Sequence, residues 1–152
     1  MKVPRIWAFF GDLGSYKTSF LTFICRCLMA DYDIGAVGNL NLKLDGFQKL
    51  DITELVGNEY LDKVIALTEI YSEADSRMSL SEKNIFFSYA IAQARKSPKT
   101  AGGRGIGNFV LYDSQLVSTP DIRLFELTNV YVMCEQLEDE SCSFEYVTSE
   151  VS

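Results

Sequence analysis

The stretch FFGDLGSYKTSF, Phe9 to Phe20, decides how the rest of the chain is read. Gly11, Gly14 and the pair Lys17-Thr18 keep the frame G-x-x-x-x-G-K-[ST], in which a glycine-rich turn presents backbone N–H groups to phosphate oxygens. Tyr16 departs from it, standing where the frame has its last glycine. A bulky side chain restricts a backbone that glycine leaves free, so the stretch is either a nucleotide site with one altered part or the remnant of one.

The flanks supply the context that such a loop needs. Arg5–Phe10 is an apolar run closed by Gly11, which predicts a central strand covered on both faces. From Lys17 to about Ala30, Phe20, Leu21, Ile24 and Leu28 recur at helical spacing, so the loop leads into a helix. A phosphate loop works in this setting because Lys neutralises the outer phosphates and a Ser or Thr hydroxyl holds magnesium at the helix N-terminus. Lys17 and Thr18 keep those roles available, and Ser15 is small enough to tolerate the turn.

Further along, the sequence predicts a short strand near 34–37, an irregular stretch GNLNLKLDGFQKL, and a strand over 63–68. Ser79 and Glu82 form a capping-box pair before a helix running to about Lys96, in which Ile85, Phe86, Tyr89 and Ala92 share a face. Ser97–Asn108 is a breaker-rich loop, followed by strands FVLYD and VYVMC. Strands alternating with helices predict an α/β sheet, mainly parallel. After Arg123 there is no Lys or Arg, and six Asp or Glu fall between Glu135 and Glu150. That end reads as a solvated acidic extension with one edge strand at 144–147, or else as an acidic partner-binding tail.

Composition narrows the function classes. With 152 residues, 47% apolar and 23% charged, the chain is sized for one buried core. A net charge of -7 argues against a freestanding, nonspecific nucleic-acid binder. The absence of histidine removes the commonest general base and metal ligand. Cys25, Cys27, Cys134 and Cys142 lack zinc-ligand spacing and read as reduced, mostly buried thiols. The first residues do not form a signal peptide and no 18-residue apolar stretch occurs, so an intracellular, cytoplasmic protein with no membrane-spanning segment is expected.

A second motif bears on catalysis. In P-loop ATPases of the additional-strand, catalytic-glutamate class, four apolar strand residues lead into Asp-Glu, the Asp ordering the magnesium shell and the Glu activating water. Here Val64-Ile65-Ala66-Leu67 lead into Thr68-Glu69, so the Glu is kept and the Asp replaced.

Taken together, GDLGSYKT, GNLNLKL, VIALTEIYSEADSRMSLSEKNIFFSYAIAQARK and LYDSQLVSTPDIRLFELTN resemble the zonula occludens toxin-like (Zot-like) branch of the FtsK-HerA P-loop ATPases, as found in archaeal viruses and mobile elements. The likeness covers about 5–135 and is carried by Asp75-Ser76-Arg77, Asn84, Ser88-Tyr89, Gln93, Arg95-Lys96, Gln115 and Asp121-Ile122-Arg123. It implies a three-layer P-loop NTPase (RecA/ASCE-like) fold, strand order 5-1-4-3-2, with a P-loop ATPase-like domain over 1–135 and an acidic extension over 136–152.

The resemblance further implies ATP and Mg2+ as cofactors, held by Gly11, Gly14, Ser15, Tyr16, Lys17 and Thr18. Glu69 takes the place of the catalytic base, Gln115 that of the terminal-phosphate sensor, and Arg77, Arg95 or Arg123 that of an arginine finger toward a neighbouring subunit; a surface ion pair is the plainer account of each arginine. The implied strand order puts Asp113 beside the loop, where with Thr18 it would serve the metal through water in place of the carboxylate missing at Thr68; a turn-forming Asp is the alternative. In a homo-oligomeric ring such as a hexamer, Lys96, Lys99 and Arg104 on the glycine-rich loop would line a channel for DNA; alone they form a solvated loop.

Two functions follow. One is a motor ATPase for viral or mobile-element DNA packaging or translocation, weakened in hydrolysis by Tyr16 and Thr68. The other is a non-catalytic P-loop-fold structural or regulatory module that no longer binds nucleotide. A nucleotide kinase is disfavoured by the lack of a recognisable lid or acceptor site.

Overall fold

The computed structural model describes residues 5–12, 15–55, 57–68, 80–95, 105–114, 126–139 and 141–148. Ten elements follow in order: β1 (Ile6–Phe10), α1 (Lys17–Tyr32), β2 (Gly35–Gly38), β3 (Phe47–Lys49), α2 (Ile52–Leu55), β4 (Lys63–Leu67), α3 (Leu80–Ala94), β5 (Phe109–Ser114), β6 (Val130–Gln136) and β7 (Cys142–Thr148). The strands form one sheet in the order β3-β2-β4-β5-β1-β6-β7. Its inner run β6-β1-β5-β4-β2 is the expected 5-1-4-3-2, and the two added strands widen it by one at each edge. All pairs are parallel except β6 with β7.

Alternate residues of each central strand explain the layers. Phe9, Val64, Ala66, Phe109 and Leu111 face α1, where they pack with Leu21, Cys25, Leu28 and Met29. Ile6, Ala8, Phe10, Ile65, Leu67, Val110 and Tyr112 point to the opposite face and pack with Leu55 of α2 and Ala90 of α3. Both sets are buried, so the strands read in sequence as continuous apolar runs rather than as an alternation. Truncating a fully buried residue such as Leu21 to Ala is expected to cost about 2–5 kcal/mol.

The structure holds two elements that the sequence reading lacked, β3 and the short helix α2. The stretch read as irregular contains β3, a three-residue strand whose middle and last residues are exposed. It has too few residues to show a period, and only its pairing with β2 reveals it. The capping pair at the head of α3 lies outside the described residues, while the helix itself runs over Leu80–Ala94. At the sheet's far end Gln93 serves the fold: its side-chain oxygen accepts from the Tyr60 N–H at 3.1 Å, and Asn108 Nδ2 donates to the Tyr60 carbonyl at 2.7 Å. Residues 142–148 of the acidic end form the antiparallel edge strand, in register with β6 from Gln136↔Cys142 to Val130↔Thr148.

Candidate functional site

The loop after β1 lies at the carboxyl end of the parallel strands, beside β5, the strand inserted between β1 and β4. The Gly11 N–H donates to the Ser114 carbonyl at 3.2 Å, and the Ser15 N–H donates to the Asp12 carbonyl at 3.1 Å, which ties the turn to the sheet. A side chain on Gly11 would come within 2.4 Å of Ser15 Oγ and 2.6 Å of the Cys134 carbonyl oxygen, so only glycine fits there.

Tyr16 sits at the N-cap of α1 with φ 61 and ψ 23. The left-handed conformation that the glycine frame anticipates is thus present, and a tyrosine adopts it at a cost of about 1–2 kcal/mol. Its side chain is 47% exposed. The Tyr16 side chain does not cap α1 and no acidic residue stands in its first turn, which leaves the positive end of the helix dipole facing the loop. Within the turn, Ser15 is 3% exposed and its hydroxyl has no hydrogen-bond partner among the described residues; Lys17 is 9% exposed. A buried hydroxyl left unsatisfied is costly, and an anion received by the turn would satisfy it.

Three oxygens meet at the other side of the loop. The Thr68 hydroxyl donates to Asp113 Oδ2 at 2.6 Å, the Thr18 hydroxyl donates to the same oxygen at 3.2 Å, and the two hydroxyls lie 3.4 Å apart. The sheet register explains the meeting: Leu67 pairs with Tyr112 and Phe9 with Asp113, so the ends of β4, β5 and β1 stand side by side. Asn39 fixes Thr68 by accepting from its N–H and donating to its carbonyl, both at 2.8 Å. These groups border a hollow of about 280 Å³ lined by Thr18, Thr22, Asn39, Leu40, Asn41 and Thr68. Burial pushes the Cys134 thiol up to about 11, with the Lys17 ammonium pulling it down and the Asp113 carboxylate pushing it up, so the loop's cation and the strand-end carboxylate act on one point.

Of the residues singled out in the sequence, Gly11, Ser15, Tyr16, Lys17, Thr18 and Asp113 are gathered here. Gly14, Glu69, Arg77, Lys96, Lys99, Arg104, Gln115 and Arg123 lie outside the described residues; Arg95 is exposed just past the end of α3. Asn39 was missed as a site residue, although it belongs to the GNLNLKL stretch on which part of the resemblance rests. Nothing in its own neighbourhood signals a contact with a residue 29 positions away.

Among solved structures, the genome packaging NTPase B204 from Sulfolobus turreted icosahedral virus 2, in complex with ATP-gammaS, is similar over 92% of this chain and 79% of its own, at TM-score 0.51 and 13% identity. The Legionella pneumophila ATPase DotB is similar over 97% of this chain, at TM-score 0.56 and 13% identity, with this chain spanning 46% of DotB. The fold is that of the P-loop NTPases. No family model matches the chain, and no curated protein matches it by sequence. The P-loop fold gives the loop over 11–18 its place between the first strand and first helix, and the inserted strand β5 brings Asp113 to its side.

The donor set suits a small hard cation. Among the described residues no group of three or more His, Cys, Asp or Glu is assembled, but magnesium needs few protein ligands: one carboxylate, one hydroxyl, waters and phosphate oxygens suffice. Asp113 and Thr18 are the carboxylate and hydroxyl that could hold such an ion here.

Proposed function

We propose that the chain binds ATP with magnesium in this loop and is a Zot-like relative of the FtsK-HerA ATPases acting in viral or mobile-element DNA packaging or translocation, with weakened hydrolysis. The observation that carries the binding reading is the Thr18–Thr68–Asp113 cluster beside the buried Lys17 and a buried Ser15 hydroxyl that no described residue bonds. The packaging role rests on the likeness to B204 and on the resemblance of the middle segment.

In this reading Lys17 neutralises the outer phosphates, the Ser15 hydroxyl and the N–H groups of the loop and of α1 meet phosphate oxygens, and Thr18 with Asp113 holds magnesium. The metal supplies charge neutralisation between phosphate oxygens. Thr68 replaces a carboxylate with a hydroxyl that donates to Asp113, so one negative charge serves the metal where the additional-strand class supplies more. Glu69 is the proposed base, Gln115 the sensor and Arg77 the residue offered to a neighbouring subunit. Lys96, Lys99 and Arg104 would line the channel of a homo-oligomeric ring, and the setting is cytoplasmic, that of the host if the source is a virus. No helix among the described residues is long and apolar enough to cross a membrane.

Titration of the purified protein with ATP, with and without magnesium, tests the reading, followed by turnover under saturating ATP. Micromolar binding strengthened by magnesium, with slow hydrolysis, is expected. Absence of ATP binding under both conditions would leave the structural or regulatory module that no longer binds nucleotide, which the strained Tyr16 favours.

A further inference from the structure

Beside the phosphate loop, on the side away from Asp113, lies a cluster of aromatic side chains, of which Phe23, Phe144 and Tyr146 are exposed, that the phosphate chemistry leaves unused. Phe20, one turn into α1, stacks on Phe144 of β7 with ring centroids 4.2 Å apart and planes 12° from parallel. Phe23 continues the stack behind Phe20 at 6.1 Å, and Phe9 meets Phe20 edge-on at 5.9 Å. Despite these contacts Phe144 is 38% exposed, and Tyr146, two residues on along the same face, is 74% exposed. Aromatic rings held in place by a stack yet open on one side are unusual on an isolated surface, where burial would be the favoured outcome.

Their position relative to the loop is fixed by the sheet. Phe144 pairs directly with Cys134, and the Cys134 carbonyl oxygen is one of the atoms that a side chain on Gly11 would meet. Opposed residues of an antiparallel pair lie about 5 Å apart, so Phe144 starts within about 10 Å of the first residue of the loop. The loop's other flank holds Thr68 and Asp113, the groups suited to the metal and the terminal phosphates. A nucleotide whose outer phosphates face that flank sends its ribose and base toward β6 and β7.

We propose that Phe144, backed by Phe20 and flanked by Tyr146, is the shelf on which the purine base of the bound nucleoside triphosphate stacks. The proposal rests on the phosphate-loop reading and adds to it the part of the site that recognises the base. Phe144 with Phe20 behind it offers a flat ring to a base, so recognition is by the π-face and favours the larger purine over a pyrimidine.

The test compares ATP with inorganic tripolyphosphate, which carries the phosphates and no base, by calorimetric titration of the wild-type protein, Phe144→Ala, Phe144→Trp and Tyr146→Ala. Phe144→Ala is expected to weaken ATP about tenfold while leaving tripolyphosphate affinity in place, and Phe144→Trp to restore ATP binding. Tyr146→Ala, at a position too exposed to matter for folding, is expected to weaken ATP by a smaller factor and tripolyphosphate not at all. Equal loss of both ligands in Phe144→Ala, or unchanged ATP affinity in both alanine variants, overturns the shelf while leaving the phosphate loop intact. Failure of the wild-type protein to bind tripolyphosphate as well as ATP overturns the phosphate-loop reading itself, and the shelf with it.

Discussion

The Thr68 hydroxyl donates a 2.6 Å hydrogen bond to Asp113, across neighbouring parallel strands and from 45 residues away in sequence. It puts a neutral donor where the additional-strand ATPases carry a carboxylate, and leaves Asp113 as the carboxylate that the Thr18 hydroxyl reaches. Asp113→Asn keeps the shape and removes the charge. The expected result is a loss of about tenfold in ATP affinity with magnesium and little change in chelator, because a neutral amide no longer favours the cation. Equal losses under the two conditions would assign Asp113 a structural role only.

Asn39 acts on the same cluster through the backbone. Its side chain is bonded to both the N–H and the carbonyl of Thr68, which sets where the threonine hydroxyl points. Asn39→Ala is expected to lower stability by about 1–3 kcal/mol and to reduce the gain in ATP affinity that magnesium brings. Tripolyphosphate binding without metal should stay near the wild-type value. A stability loss with an unaltered magnesium effect would confine Asn39 to holding the strand end.

The Tyr16 backbone makes the opposite kind of prediction. Most large-to-small substitutions destabilise, but Tyr16 is half-exposed and held at φ 61, where glycine has no steric penalty. Tyr16→Gly should therefore leave the urea midpoint unchanged or raise it, the relieved strain offsetting the flexibility that glycine adds to the unfolded chain. It should also tighten triphosphate binding by giving the turn freedom to close on the anion. A loss above about 1 kcal/mol would mean that the ring's packing outweighs the strain.

The loop and its flanking strand and helix were within reach of the sequence because each rests on local signals, an apolar run, a glycine turn and a helical period, whereas the inner strand order came only from the family resemblance. β3 was not within reach, since three residues with two exposed carry no pattern. The resemblance put Asp113 beside the loop with Thr18, but the hydrogen bonds that join Thr18 and Thr68 to it were not legible. Thr68 read as a defect in a motif, and its bond to Asp113 exists only once the inserted strand stands between β1 and β4. Asn39 and the Phe20–Phe144 stack depend likewise on pairings between distant segments, which composition and spacing do not encode.

The buried thiol of Cys25 gives a pH dependence that is independent of any ligand. It lies on the buried face of α1 against Met29 one turn on, and burial raises it from 9.0 to about 12. In the unfolded chain the thiol ionises from about pH 9, while in the folded protein it stays protonated to about pH 12. Above pH 9 the unfolded state therefore binds fewer protons than the folded one, and stability falls with rising pH; below pH 9 both are protonated and the contribution is constant. Cys134, raised to about 11, adds to the same slope. Urea midpoints measured from pH 7 to 10 should be flat up to about 8.5 and then decline. Cys25→Ala, less stable at every pH because of the cavity it leaves, should decline less steeply between pH 9 and 10. An unchanged slope in that variant would move the alkaline sensitivity to other groups.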